Sequence, residues 1–125
     1  MFISIIIPHW NGIDILSECL ESLKKSTYKD KEIIVVDNAS SDDSQGWIKE
    51  NHPDIILIEN DQNYGYAGGC NRGVSTAKGE WLLFLNNDTI HESDWLEHLA
   101  KGVEGKNDVA AIQPKIRNYY ERKLF

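Results

Sequence analysis

Apolar and polar positions change period several times along the chain. Ile3, Ile5, Ile6 and Ile7 make residues 2–7 a nearly continuous β-branched run, the pattern of a strand covered on both faces. Pro8 is expected to end that strand, and Asn11-Gly12 to turn the chain. The spacing then becomes helical, with Ile13, Leu16, Leu20 and Leu23 on one stripe that ends near Ser26. Residues 32–36 form a second buried strand, stopped by Asp37-Asn38-Ala39-Ser40-Ser41. A short helix is expected over 43–51, closed by Pro53. Residues 55–59 read as a third strand, followed by a polar loop over 60–63.

Tyr66, Ala67, Cys70, Val74 and Ala77 mark one side of the next helix, with Gly79 as its expected C-cap. A fourth strand covers 81–85 and runs into Asn86-Asn87-Asp88-Thr89. Asp94 and Glu97 suit a helix N-terminus, where carboxylates complement free amides and the dipole. That helix holds Trp95, Leu96 and Leu99 and ends around Gly102. A fifth, short strand is expected over 109–112 before Pro114, and 117–125 is a tail without assignable structure. Strands alternating with helices at these spacings predict an α/β fold, a mostly parallel sheet flanked by helices, built from about five strands within one domain over 1–116. Such sheets bind ligands outside the carboxyl ends of their strands. The chemistry is therefore sought after strands one to four.

Composition narrows the partners. The chain has 125 residues, with 20 acidic against 13 basic side chains and a net charge of −7. That balance excludes a general nucleic-acid binder, which needs a basic face. Two cysteines are too few for a disulfide scaffold, and Cys19 and Cys70 read as core thiols in a reducing compartment. No apolar run approaches the roughly 18–20 residues that span a bilayer, and the start lacks a signal-peptide pattern. The expected location is cytoplasmic, with peripheral association at the inner membrane face left open.

Four polar segments fall at strand ends. In Pro8-His9-Trp10-Asn11 the indole either stacks on a base or fills the core. Asp37 and Asn38 exceed what helix capping by the following serines and aspartates requires. They either read a base and ribose or only shape a turn. In the segment from Asn63 to Gly73, Gly68, Gly69 and Gly73 sit inside an expected helix, each costing about 1 kcal/mol relative to alanine. Close approach to a ligand or to a neighbouring strand would justify them. The spacing does not match a dinucleotide fingerprint. Asn86-Asn87-Asp88 offers one carboxylate and two amides, either an ordinary turn or a seat for Mg²⁺ or Mn²⁺ that shares diphosphate oxygens. His91 and His98 lack further ligands at zinc-site spacing.

Taken in order, ISIIIPHWNG from Ile3, EIIVVDNASSDDS from Glu32, NYGYAGGCNRG from Asn63 and GEWLLFLNNDT from Gly79 resemble the N-terminal half of family-2 glycosyltransferases. The likeness spans nearly all of 1–116 and is nearest to the rhamnosyltransferase-like branch. It implies the GT-A (Rossmann-like) fold and a nucleotide-sugar donor of the UDP or dTDP type. Pro8, His9, Trp10 and Asn11 would line the nucleoside pocket, Asp37 and Asn38 would read base and ribose, and Gly65, Asn71 and Arg72 would pass near the nucleotide. Asn86-Asn87-Asp88 stands at the family's Asp-X-Asp position, with Asn86 and Asn87 beside the nucleotide and Asp88 as the metal ligand for Mn²⁺ or Mg²⁺.

Family members continue into an acceptor-binding half that holds the general base for a glycan or lipid-linked acceptor. No base is assigned to Glu92 or Asp94, whose place at a helix start suits capping. The resemblance therefore implies a donor-binding part that transfers sugar negligibly by itself, as a piece of a longer protein or one half of a split enzyme. Two other classes fit the pattern less well. A non-catalytic nucleotide-binding or regulatory module would keep the pocket without turnover. A phospho-receiver would need an acidic pair after strand one, where Pro8-His9-Trp10 stands.

Overall fold

The computed structural model describes residues 1–120. Four strands, β1 (Ile3–His9), β2 (Lys31–Asp37), β3 (Ile56–Glu59) and β4 (Trp81–Phe84), alternate with helices α1 (Ile13–Lys24), α2 (Ser44–Asn51), α3 (Gly65–Val74) and α4 (Trp95–Val103). The strands are all parallel in the order β3-β2-β1-β4. The chain steps outward from β1 to β3, then crosses back to lay β4 on the other side of β1. The crevice between the carboxyl ends of β1 and β4 is thus a topological switch point, the place where open α/β sheets bind ligands.

The sheet is covered on both faces. One face buries Ile3, Ile5, Ile7 and Val35 with Leu16, Cys19, Leu20 and Leu23 of α1, Ile48 of α2, and Leu96 and Ala100 of α4. The other buries Ile6, Ile34 and Val36, and α3 packs there. Gly73 lies so near Ile6 that a Cβ would stand 2.4 Å from its Cγ2, and at Gly69 a Cβ would stand 3.1 Å from Pro8 Cβ. Of the two reasons the sequence left for these glycines, close approach to a strand is the one realised at both.

Three expectations on element boundaries are corrected. Pro8 does not end β1, which runs on to His9 in register with Asp37. Leu85 N–H donates to the Ile6 carbonyl and Asn38 N–H to the His9 carbonyl. Alternate residues face opposite edges, so Pro8 faces the β4 side. The pairing there ends at Ile6 with Phe84, and a missing N–H breaks no ladder bond.

Gly79 is not the C-cap of α3, which stops at Val74 with Ser75 as cap. It lies instead against β1, where a Cβ would stand 2.4 Å from Ser4 N. Residues 109–112 form no strand, so the described sheet has four strands, not about five. The run Val-Ala-Ala-Ile has little side-chain area for cross-strand contacts, which supply most of a strand's stability. Of the tail assigned to 117–125, positions 121–125 lie outside the described residues.

Candidate functional site

The loops after β1 and β2 are tied together. Asn11 and Ala39 adopt positive φ, and side chains on each loop hold backbone amides of the other. Asn11 N–H donates to Ser40 Oγ at 2.8 Å, and Gly12 N–H donates to Asp42 Oδ2 at 2.8 Å. Asn11 Oδ1 in turn accepts from Ser41 N–H at 2.8 Å and Asp42 N–H at 3.2 Å. Asn11 therefore serves the loop pair. Burial works against the Asp42 carboxylate, but donors from Ser44 and Gly12 outweigh it and hold its pKa below the ordinary value.

Asp37 and Asn38 are both buried. Asp37 accepts from Ser40 N–H at 3.0 Å, from the Ser40 hydroxyl at 2.6 Å and from Gln45 Nε2 at 2.5 Å. Asn38 donates to the Gly65 carbonyl at 3.1 Å and accepts from Asn60 Nδ2 at 2.9 Å and Tyr64 N–H at 3.4 Å. These bonds clamp β2 to the loop after β3 and to the start of α3. Three of the roughly four acceptor sites of the Asp37 carboxylate are used, and one N–H of Asn38 remains.

The remaining expected residues separate. Trp10 is 54% exposed at the carboxyl end of β1, so it is no core aromatic. His9 is 1% exposed and faces inward. Gly65 opens α3 at the strand ends with φ 75°. Asn71 and Arg72 lie six and seven residues further on, roughly 10 Å down the helix axis, and both are exposed. The Arg72 guanidinium stacks 3.7 Å over the Tyr64 ring. The structure thus brings Pro8, Trp10, Asp37, Asn38 and Gly65 to one edge and leaves Asn71 and Arg72 away from it.

After β4, the Asn86 carbonyl accepts from the Thr89 hydroxyl at 2.9 Å and from the Cys19 thiol at 3.8 Å. Burial pushes the Cys19 thiol up to about 11, so it stays protonated and donates. Asn87 Nδ2 donates to His9 Nδ1 at 3.0 Å. Asp88 is exposed and borders an open pocket of about 250 Å³ with Ile15, Glu18, Ile90 and Tyr119. No cluster of three metal-ligating side chains exists among the described residues. The donor set fits a hard divalent cation that arrives with diphosphate oxygens, since Mg²⁺-type sites often take one or two carboxylates and complete the octahedron with phosphate and water. It does not fit a cation caged by protein alone.

Local sequence gave no sign of the parts played by Ser44, Asp42, Cys19 and Asn60, whose partners lie 22 to 67 positions away or act as relays between loops. For Asp42, Ser44 and Asn60 the only signal was polarity close after a strand end, and Cys19 showed only as a core position of α1.

The family model for glycosyl transferase family 2 matches residues 4–124. The chain belongs to that family. A PGL/p-HBAD biosynthesis glycosyltransferase of Mycobacterium tuberculosis is 37% identical over 101 residues, covering 78% of this chain and 40% of that protein. A poly(ribitol-phosphate) beta-glucosyltransferase of Bacillus spizizenii is 40% identical over 102 residues, covering 77% of this chain and 16% of that one. Among solved structures, a mannosyltransferase from Pyrobaculum calidifontis in complex with GDP-Man and Mn²⁺ superposes with a TM-score of 0.77 at 26% identity, over 83% of this chain and 32% of that one. The family-2 domain thus spans less than half the length of the relatives it matches, and its sheet has the GT-A arrangement.

The histidines give this family-2 domain a defined acid response. Burial lowers the pKa of His9, His52 and His91, the last to about 4. A base with a depressed folded pKa stabilises the fold above its unfolded value and loses that contribution as pH falls toward the folded one. Asp42 and Asp61 are also lowered, from 3.8, so their losses come below about pH 5. Melting temperature should therefore fall between pH 6.5 and pH 5 in thermal scans. His91→Phe should flatten that slope. A flat profile across the window in the parent would contradict burial of neutral histidines.

Proposed function

We propose that the chain is the donor-binding part of a glycosyltransferase that takes a nucleoside-diphospho-sugar of the UDP or dTDP type. The sugar would pass to a glycan or lipid-linked acceptor, in polysaccharide or glycolipid assembly. The observation that supports this most is the placement of two exposed groups, Trp10 and Asp88, at the carboxyl ends of β1 and β4, on either side of the switch point. An indole there can stack on a base, and a carboxylate there can hold a cation on the diphosphate.

Charge explains why a cation is needed. Asp37 ends β2, and Asp42, Asp43 and Asp88 sit in loops at this edge of a chain with net charge −7, so a bare diphosphate is repelled. A divalent ion held by Asp88 supplies neutralisation of the charge that grows on the departing diphosphate. Trp10 orients the base, and the clamp through Asn38 keeps β2, β3 and α3 in register around it. The unused acceptor site of Asp37 and the unused N–H of Asn38 complement the imide edge of uracil or thymine, which offers one donor between two acceptors. No helix among the described residues is long and apolar enough to cross a membrane.

Calorimetric titration with UDP, dTDP and GDP, each with and without Mn²⁺, tests the reading. The expected result is Mn²⁺-dependent binding, tightest for a pyrimidine nucleotide. Binding of none of the three would overturn the donor-site assignment. Tightest binding of GDP would overturn the base assignment alone.

A further inference from the structure

His9 is buried at the carboxyl end of β1, and its two ring nitrogens join different loops. On one side lies a chain of donors with a forced direction. The Asp42 carboxylate can only accept, and it already takes Gly12 N–H at 2.8 Å and Ser44 N–H at 3.0 Å. The Ser44 hydroxyl is also bonded to Asp42, so that hydroxyl must be the donor. Ser44 Oγ then has only lone pairs left for His9 Nε2, 2.9 Å away. His9 therefore bears its proton on Nε2, and its Nδ1 is a bare acceptor.

The other side follows from this. A bare Nδ1 can bond only the N–H₂ of Asn87, at 3.0 Å, and rejects its carbonyl. The amide orientation of Asn87 is thus dictated from Asp42, 45 positions earlier in the chain, through Ser44 and His9. Asn87 Oδ1 makes no bond among the described residues, and Asp88 follows directly in the same loop. The Cys19 thiol and the Thr89 hydroxyl hold the Asn86 carbonyl on the other flank. The loop is fastened at Asn86 and Asn87, and Asp88 is its free carboxylate.

We propose that His9 is a positioning residue: its bare Nδ1 locks the Asn87 side chain in one orientation, so that the loop holding Asp88 meets a cation and diphosphate already ordered. The inference rests on the donor-binding reading. It adds to that reading a link from the β2 turn through β1 to the cation loop, which makes His9 part of the supporting structure and not part of the nucleoside pocket. Order present before binding need not be created during it, and affinity gains accordingly. Burial keeps the imidazole neutral, as the role requires.

Two substitutions separate positioning from mere packing. The amide of His9→Asn reaches the place of Nδ1 and keeps an acceptor for Asn87, but leaves Ser44 unpaired and a small void. The longer His9→Gln fills the site and reaches Ser44, but offers Asn87 nothing. In titrations of the chain with Mn²⁺ and UDP, and with Mn²⁺ and GDP, His9→Asn should bind within about threefold of the parent. His9→Gln should bind about five- to tenfold more weakly, the worth of one hydrogen bond, although it is the more stable of the two. Affinities that track melting temperature across both variants would overturn the proposal.

A second readout needs no nucleotide. Long-range ¹H–¹⁵N correlation on the ¹⁵N-labelled chain should show the His9 ring protonated at Nε2 only. The Asn87 side-chain amide signals should be alike in the parent and in His9→Asn, and averaged in His9→Gln. A proton on Nδ1, or Asn87 signals that are the same in all three proteins, would overturn it. If the parent binds neither nucleotide, the donor reading fails and the spectra still decide the role of His9.

Discussion

Asp88→Ala is expected to remove the Mn²⁺-dependent part of nucleoside diphosphate binding, a loss of about 100-fold or more in affinity measured with the metal present. Outer partners of a metal already cost 10–100-fold when removed, and Asp88 is the carboxylate that would touch the ion. Its neighbours cannot take over. Asn86 and Asn87 are neutral amides, and Glu18 comes from α1 across the pocket. Because Asp88 is exposed and makes no hydrogen bond among the described residues, the substitution should change stability by less than about 0.5 kcal/mol. The pairing of intact melting with lost metal dependence is the diagnostic result. Equal affinity in variant and parent would remove Asp88 from the site, and Glu18→Gln would be the next titration.

Gly79→Ala is expected to be the most damaging single methyl in the described chain, costing about 3 kcal/mol and lowering the melting temperature by roughly 10 °C. A Cβ there would lie 2.4 Å from Ser4 N, 2.7 Å from Ser4 Oγ and 2.8 Å from the Trp81 carbonyl oxygen. Two of those three atoms are backbone of paired strands, which cannot move without breaking the ladder between β1 and β4. The Gly79 amide also donates to Ser4 Oγ at 2.8 Å, and that hydroxyl donates to Glu32 at 2.6 Å. At Gly73 the closest atom is a side-chain methyl of Ile6, which can rotate, so Gly73→Ala should cost less. Thermal scans of the two variants beside the parent check the order. A Gly79→Ala protein that melts with the parent would mean that the turn before β4 has room the structure does not show.

The element sequence was legible because each stretch announces its own period. The run of isoleucines in β1 and the stripe Leu16, Leu20, Leu23 in α1 need no distant information, and all eight elements begin within two residues of where the pattern puts them. The carboxyl-end rule then pointed to the segments that hold Trp10, Asp37, Asn38 and Asp88. The glycines of α3 were visible as an anomaly, although their cause was not.

Chain order alone determined an alternating α/β domain, a parallel sheet, and a set of polar residues at strand ends, since these follow from local periodicity and from the geometry of crossovers. Only the tertiary structure decided that β4 returns to the far side of β1, that Pro8 can extend a strand because no partner reaches it, and that Gly79 serves a strand contact instead of a helix end. It also divided the polar residues into roles. Trp10 and Asp88 face solvent, Asn11, Asp37 and Asn38 bind loops to one another, and His9 links Asp42 to Asn87. Residue type tells what a side chain can donate or accept. Which partner it finds depends on strands that meet 22 to 78 positions apart, and that meeting is set by packing, not by neighbours in sequence.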